Sequence, residues 1–293
     1  MTRLDQVGEL GVIEALRPFL ATRGYLIPAL ADDAAAWEEP AGVLVASCDQ
    51  SVEGVHFDLG WMSPEDAGWR ALALALGDLA AKGATPTYAL AAMAAPPGWE
   101  LERLLGLYRG LADLAGQVGL RLAGGDTSST PGPAVLTLAV LGRVPRPPLA
   151  RSQAKPGWAV GVTGPLGAAA LALKRRQAVR LPPRLEEGRR LNQAGLCCGD
   201  ISDGLYRELE KFAASSGAGC DLRLDRVPCV PGASPELAAA SGEEAELVCA
   251  GPEEVLRAAG LEALGRLTRG GRLRVFDGGR QIELKERGYD HFA

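Results

Sequence analysis

Residues 66–82 read DAGWRALALALGDLAAK, a run of Ala, Leu and Gly without proline in which one carboxylate, Asp78, stands among apolar neighbours. Ala and Leu favour helix, and apolar side chains fall on nearly every face, so the run predicts a helix buried on most sides. A carboxylate inside such a helix costs several kcal/mol unless a cation or a cage of hydrogen bonds meets it. Working outward, residues 43–48 (VLVASC) predict a buried strand. Residues 101–118 predict an amphipathic helix with Glu102, Arg103 and Arg109 toward solvent, and residues 120–123 and 134–144 predict strands. Residues 145–148, PRPP, form a stiff extended segment, and a domain boundary is expected there, giving domains of 1–147 and 148–293. The second half repeats the style, with strands at 158–162, 220–224 and 245–249 and helices at 166–177, 184–194 and 205–215. A hairpin is expected to turn at Asp277-Gly278-Gly279. This mixture predicts the α/β (mixed α+β) class and excludes all-helical and all-strand folds.

The chain has 293 residues, 47% hydrophobic and 23% charged, enough to build two cores. Its net charge of −5 and the lack of a long Lys/Arg run argue against nucleic acid as a main partner. No apolar stretch reaches the roughly 18 residues of a membrane span, and MTRLDQVGEL has no leader pattern, so a cytoplasmic location is expected. The 6 cysteines lack a CxxC spacing and read as reduced packing thiols. With only 2 histidines, His56 and His291, a metal would be held by oxygen ligands, which points to magnesium.

Aspartates recur where predicted strands end: Asp32-Asp33, Asp49, Asp126, and Asp200 with Asp203 in GDISDG. Taken singly, each reads first as a helix cap or an Asx turn. Taken together with Asp78, they fit a dispersed magnesium–nucleotide site, in which carboxylates, waters and substrate phosphates share the ion. Gly124-Gly125-Asp126-Thr127 reads either as a common turn or as a place where backbone N–H groups approach an anion closely. Neither GxxxxGK[ST] nor a Gly-rich kinase loop is present, so ATP, if used, is held by another architecture.

Five segments carry a family resemblance. SVEGVHF (51–57), GDLAAKGA (77–84), GGDT (124–127), DISDGL (200–205) and GYDHF (288–292) resemble, in this order, the thiamine-monophosphate kinases. GGDT and SDGL are shared with the wider aminoimidazole-ribonucleotide-synthetase-like superfamily; VEGVHF and GYDHF point to the kinase. The resemblance implies a two-domain protein, a homodimer through its N-terminal domains, with ATP and several Mg²⁺ in a cleft between the domains. It places Asp33, Ser47, Cys48, Asp49, Asp78, Asp126, Asp200 and Asp203 on metal positions. Gly125, Asp126, Arg151, Ser202 and, beside the adenosine, Tyr108 fall on nucleotide positions. His56, Glu243 and Tyr289 fall on the positions that hold thiamine monophosphate.

The sequence departs from the family pattern at three places. Ala31 stands where glycine opens the first aspartate pair. Cys48 replaces a threonine, a soft sulfur that magnesium disfavours unless only the backbone carbonyl is used. SGEEAEL (241–247) stands for GGEDYEL, so Ala245 replaces a tyrosine and Glu244 an aspartate. The activity implied is in-line transfer of the γ-phosphoryl of ATP to a phosphate oxygen. The alternatives are another ATP-using enzyme of the superfamily and a noncatalytic binder of Mg-nucleotide or thiamine phosphates.

Overall fold

The computed structural model describes residues 26–27, 32, 35–39 and 42–292. The first sheet contains β1 (Ala35–Glu39), β2 (Gly42–Val52), β3 (Thr85–Ala95), β4 (Arg121–Ser129) and β5 (Val135–Val144) in the order β1-β2-β5-β3-β4. Neighbours are antiparallel except β3 and β4. One face is covered by two helices, α1 (Pro64–Ala81) and α2 (Leu101–Val118). Ser63 starts α1 by accepting the Asp66 N–H at 3.1 Å, and Pro64 occupies the first turn, where no N–H is required. Leu107, Leu111 and Leu114 form the inward stripe of α2, which ends at Gly119 with φ 71°.

The two helices touch backbone to backbone. A Cβ at Gly110 would lie 2.0 Å from the Glu65 carbonyl oxygen, and one at Gly68 2.0 Å from that of Leu107. Gly110→Ala is therefore expected to destabilise the protein by at least about 1–3 kcal/mol, as overpacking does, measured as a lower Tm with unchanged far-ultraviolet dichroism of the folded state.

The second sheet is built from residues beyond the PRPP segment: β6 (Ala159–Val162), β7 (Cys197–Asp200), β8 (Ala218–Arg223), β9 (Leu247–Gly251), β10 (Gly265–Arg269), β11 (Leu273–Asp277) and β12 (Arg280–Ile282). Their order is β12-β11-β8-β10-β6-β9-β7. Between them run α3 (Ala168–Arg175), α4 (Leu185–Gln193), α5 (Leu205–Ser216), α6 (Pro235–Ala240) and α7 (Glu253–Ala258). The inward stripe of α5, Leu205, Leu209 and Phe212, fills a second core against this sheet. The first core does not stop at the PRPP segment. It continues through Leu185, Leu191, Cys198 and Cys249, because α4 packs on α1, with the Cβ position of Gly188 2.0 Å from the Ala80 carbonyl oxygen.

The expected α/β class and the hairpin are both present; Asp277 pairs with Arg280 around Gly278 and Gly279, whose φ values of 53° and 85° suit a type I′ turn. Two expectations are corrected. GGDT is neither turn nor loop but the middle of β4, paired in parallel with β3 after a bulge at Ala89/Leu90. The strand expected at 245–249 begins at Leu247 instead, since Glu243 and Ala245 both take φ 57° and interrupt an extended backbone. All 6 cysteines are free, and four of them, Cys197, Cys198, Cys220 and Cys249, are buried. Among the described residues, no helix is long and apolar enough to cross a membrane.

Candidate active site

The carboxylates gather where α1 faces the second sheet. Period-two alternation along β2 turns Ser47 and Asp49 toward α1 and Cys48 away from it, to an exposed position. This corrects any role for the Cys48 thiol among the carboxylates, since its side chain is on the other face of the sheet. The Ser47 hydroxyl donates to Asp78 Oδ2. Asp200, at the end of β7, packs against α1 at Gly77, where a Cβ would sit 3.2 Å from Asp200 Oδ2. Glycine here leaves room for the neighbouring carboxylate.

Charge ties these groups together. Burial, then Asp200 and Asp203, push the Asp49 carboxyl up to about 7. Burial, then Asp49 and Asp200, raise Asp78 well above the usual carboxylate range, against the lowering effects of Ser47 and Lys82. Asp200 is raised to about 6 by burial and then Glu208, with Lys211 and Arg151 opposing. Mutually raised carboxyls are the pattern of acidic groups assembled for a cation. Among the described residues, no set of three acidic, histidine or cysteine side chains is positioned to encircle one ion by itself. The donors are nevertheless hard oxygens, suited to a magnesium ion whose remaining ligands are waters and phosphate oxygens.

Beside this cluster runs a buried chain of alternating charge. Asp203 Oδ2 accepts from Lys211 Nζ at 2.7 Å, Lys211 also donates to Glu208 Oε1 at 2.5 Å, and Glu208 Oε2 accepts from Arg151 Nη2 at 2.8 Å. Arg151 Nη1 donates to Asp32 Oδ1 at 2.9 Å, and Lys82 Nζ donates to the same oxygen at 2.6 Å and to the Cys198 carbonyl at 2.9 Å. Glu208 and Lys82 are 0% exposed. The chain links the first half, through Asp32 and Lys82, to the Asp203 turn in the second. Arg151 is thus buried and engaged by two carboxylates.

The substrate-side residues, distant in sequence, come together. His56 stacks on His291 with centroids 5.2 Å apart, and Tyr289 meets His291 edge-on at 4.8 Å. Glu243 forms an ion pair with Arg70. Burial lowers the His56 pKa, with Glu243 opposing and His291 adding to the lowering, so the charges of both residues reach this ring. His56 Nδ1 accepts the Val52 N–H at 3.1 Å, which puts the proton of the neutral ring on Nε2. The two groups of residues share one turn: the Glu243 N–H donates to the Ser202 carbonyl at 2.7 Å and the Tyr289 N–H to the Asp203 carbonyl at 2.9 Å.

Other expected residues stand apart. Asp126 is exposed on edge strand β4 and is not among the charges that shift Asp49, Asp78 or Asp200. Gly125 is required by a close approach, since a Cβ would lie 1.8 Å from the Ala91 carbonyl oxygen. Tyr108 is half-buried on α2, its hydroxyl 3.5 Å from that same carbonyl. Asp33 lies outside the described residues. Glu244 is structural: its carboxylate accepts from the Ala168 and Ala169 N–H groups at 3.1 and 3.0 Å, capping α3. Sequence reasoning missed Arg70, Glu208, Lys211 and the ring contact of His291. Only Arg70 had a usable signal, its place two turns before Asp78 on the less buried stripe of the helix.

Residues 31–144 match the family described as AIR synthase related protein, N-terminal domain. The thiamine-monophosphate kinase of Bacillus subtilis is 32% identical over 243 residues, covering 75% of this chain and 74% of its own. The chain belongs to the thiamine-monophosphate kinase family. The Halobacterium salinarum thiamine-monophosphate kinase is 33% identical over 293 residues, covering 94% of this chain and 99% of its own. The solved structure named AaThiL complexed with AMPPCP and TMP superposes with a TM-score of 0.86 at 25% identity, over 100% of this chain and 99% of that one. Of this chain's departures from the thiamine-monophosphate kinase family pattern, Ala31 lies outside the described residues and the others have definite places. Cys48 points away from the carboxylates, Glu244 caps a helix, and Ala245 is buried with a left-handed backbone.

Proposed function

We propose that this chain is a thiamine-monophosphate kinase that transfers the γ-phosphoryl group of ATP directly to the phosphate of thiamine monophosphate, yielding thiamine diphosphate and ADP. The observation that carries the reading is the meeting of His56, Glu243 and Tyr289 at the same turn that bears Asp200 and Asp203, in a member of this family. The solved structure complexed with AMPPCP and TMP, on the same fold, supports both substrates.

The acceptor is itself a phosphate, with a second pKa of about 6, so it is anionic at neutral pH and needs no protein base. One of its oxygens forms a bond to the γ-phosphorus while the bond from that phosphorus to the β–γ bridging oxygen breaks, and ADP leaves with the electron pair. Alignment and charge cancellation are what the protein supplies. Asp49, Asp78, Asp200 and Asp203, with Asp33, Asp126 and the Ser47 and Cys48 backbone neighbourhood, would hold magnesium. When bound, magnesium offsets the charge of the two facing phosphates. Ser202, Gly125, Tyr108 and the region of Arg151 would receive the nucleotide; Glu208 and Asp32 fix Arg151 in place.

The protein acts as a homodimer in this reading. Support comes from β4, exposed along nearly all its length and, among the described residues, without a strand partner on its outer edge, and from Tyr88 and Leu90 exposed beside it on β3. The two halves, 1–147 and 148–293, are read as domains flanking the nucleotide cleft. A cytoplasmic location agrees with the free thiols and with the use of ATP.

Incubation with ATP, Mg²⁺ and thiamine monophosphate is expected to give thiamine diphosphate and ADP in equal amounts, while unphosphorylated thiamine, whose hydroxyl needs a base, reacts poorly. Inorganic phosphate released without thiamine diphosphate would favour another ATP-using member of the superfamily, and binding without products a noncatalytic binder. Tyr289, 49% exposed, offers its ring to a cationic thiazolium. Tyr289→Ala is expected to raise KM for thiamine monophosphate severalfold to some tens of fold, from a loss of roughly 0.5–2 kcal/mol, and to spare KM for ATP. An equal rise in both constants would make the GYDHF segment structural.

A further inference from the structure

Arg70, Leu74, Gly77 and Asp78 recur at helical spacing on the stripe of α1 that faces the second half. Gly77 meets Asp200 at one end and Arg70 meets Glu243 at the other. Two helical turns, about 11 Å along the axis, separate these levels, a span that a ligand of two small rings and a phosphate arm bridges.

Arg70 Nη2 donates to Glu243 Oε2. Two atoms beside that bond are left over: Arg70 Nε and Glu243 Oε1 are buried without a hydrogen-bond partner. One is a donor and the other an acceptor. Buried polar groups are ordinarily satisfied, so adjacent orphans of opposite kind suit a ligand edge that carries an acceptor next to a donor. Glu243 also holds φ 57°, a conformation unfavourable for a side-chain-bearing residue, and is fixed there by its N–H on the Ser202 carbonyl. The His56 ring stands within electrostatic reach of both members of the pair and stacks on His291, which Tyr289 meets edge-on.

We propose that Arg70 is a specificity-determining residue, which with Glu243 presents a paired donor and acceptor to the aminopyrimidine of thiamine monophosphate, whose ring nitrogen accepts and whose exocyclic amine donates. The inference rests on the functional reading given above and deepens it. The charge of Arg70 is committed to Glu243, which favours the edge of a neutral heterocycle over a phosphate, and the acidic cluster for the phosphates lies two turns away.

The test compares thiamine monophosphate with oxythiamine monophosphate, in which a carbonyl replaces the exocyclic amine. Wild-type protein should show a KM at least about tenfold higher for the oxythiamine compound, because Glu243 Oε1 then faces another acceptor. Glu243→Gln, whose amide can donate, should narrow or invert that ratio. Arg70→Met should raise KM for thiamine monophosphate at least about tenfold while KM for ATP changes less than about twofold, and Arg70→Lys, which keeps a cation but loses the planar fork, should behave like Arg70→Met. An oxythiamine ratio unchanged in both Glu243→Gln and Arg70→Met, a parallel rise in KM for ATP, or a wild-type-like Arg70→Lys overturns the proposal. Wild-type protein that makes no thiamine diphosphate at all is a separate failure, which removes the underlying functional reading and the proposal with it.

Discussion

Asp78→Asn is expected to lower kcat by at least about a hundredfold to a thousandfold, the cost of losing one preorganised group that offsets developing charge. The same substitution should leave the protein without metal more stable near neutral pH, which separates loss of function from loss of fold. Asp78 is buried between Ser47, Asp49 and Asp200, and the carboxylates raise one another. A carboxyl whose folded pKa exceeds its unfolded value holds a proton that the unfolded chain has already shed. Stability therefore declines as pH rises through that window, from about 4 in the unfolded chain up to about 7 for Asp49 and about 6 for Asp200. Removing one charge relieves part of this decline. In EDTA, the Tm of Asp78→Asn should exceed that of wild type at pH 8, at about 2–4 °C per kcal/mol gained, and the gap should shrink toward pH 4. Added Mg²⁺ should raise the wild-type Tm more than that of the variant. A variant with normal turnover at ordinary magnesium would remove Asp78 from the site.

Glu208→Gln is expected to be the most damaging change to stability. Glu208 is 0% exposed and faces two cations, Arg151 and Lys211, at 2.8 and 2.5 Å. A neutral amide of the same shape leaves those cations poorly compensated in the interior, and breaking a buried pair in this way costs about 3–5 kcal/mol. Tm should fall by roughly 6–20 °C, since each kcal/mol is worth about 2–4 °C in a chain of this size. Pairing Glu208→Leu with Arg151→Met should recover part of the loss, because removing both partners strands fewer charges. A Glu208→Gln protein with wild-type Tm would mean that water, not the protein, solvates this part of the chain of charges.

Individual residues show what the sequence made legible. Asp78 was conspicuous because a helix of Ala and Leu has no reason to carry a buried carboxylate, and Asp49 stood out as a carboxylate just after a predicted strand, whereas Ser47 was indicated only by the family resemblance. The direction of Cys48 also follows from period-two alternation, and the concern over its sulfur dissolves once that alternation is applied. β3, TPTYALAAMAA, escaped recognition because alanine has low strand propensity; its central position between β5 and β4, not its own preference, makes it a strand. GGDT resembles a turn in any sequence and becomes a strand only through its pairing with β3. Glu208 and Lys211, three apart on a helix, look like a solvated surface pair. Their burial depends on Arg151, which arrives from a segment 57 positions earlier in the chain than Glu208. Likewise, nothing local joins Arg70 to Glu243, 173 positions apart. Local pattern thus identified the groups that are anomalous where they stand, and missed those that matter only through distant partners.

In the proposed reaction aligned phosphates and acidic groups that gather cations suffice, with no protein nucleophile between donor and acceptor. The stereochemical course at phosphorus distinguishes this direct transfer from a two-step one. ATP made chiral at its γ-phosphorus with oxygen isotopes is turned over with thiamine monophosphate and Mg²⁺, and the configuration of the transferred group in thiamine diphosphate is determined. A single in-line displacement predicts inversion. Retention, which requires a phosphorylated protein intermediate and a second displacement, would rule direct transfer out.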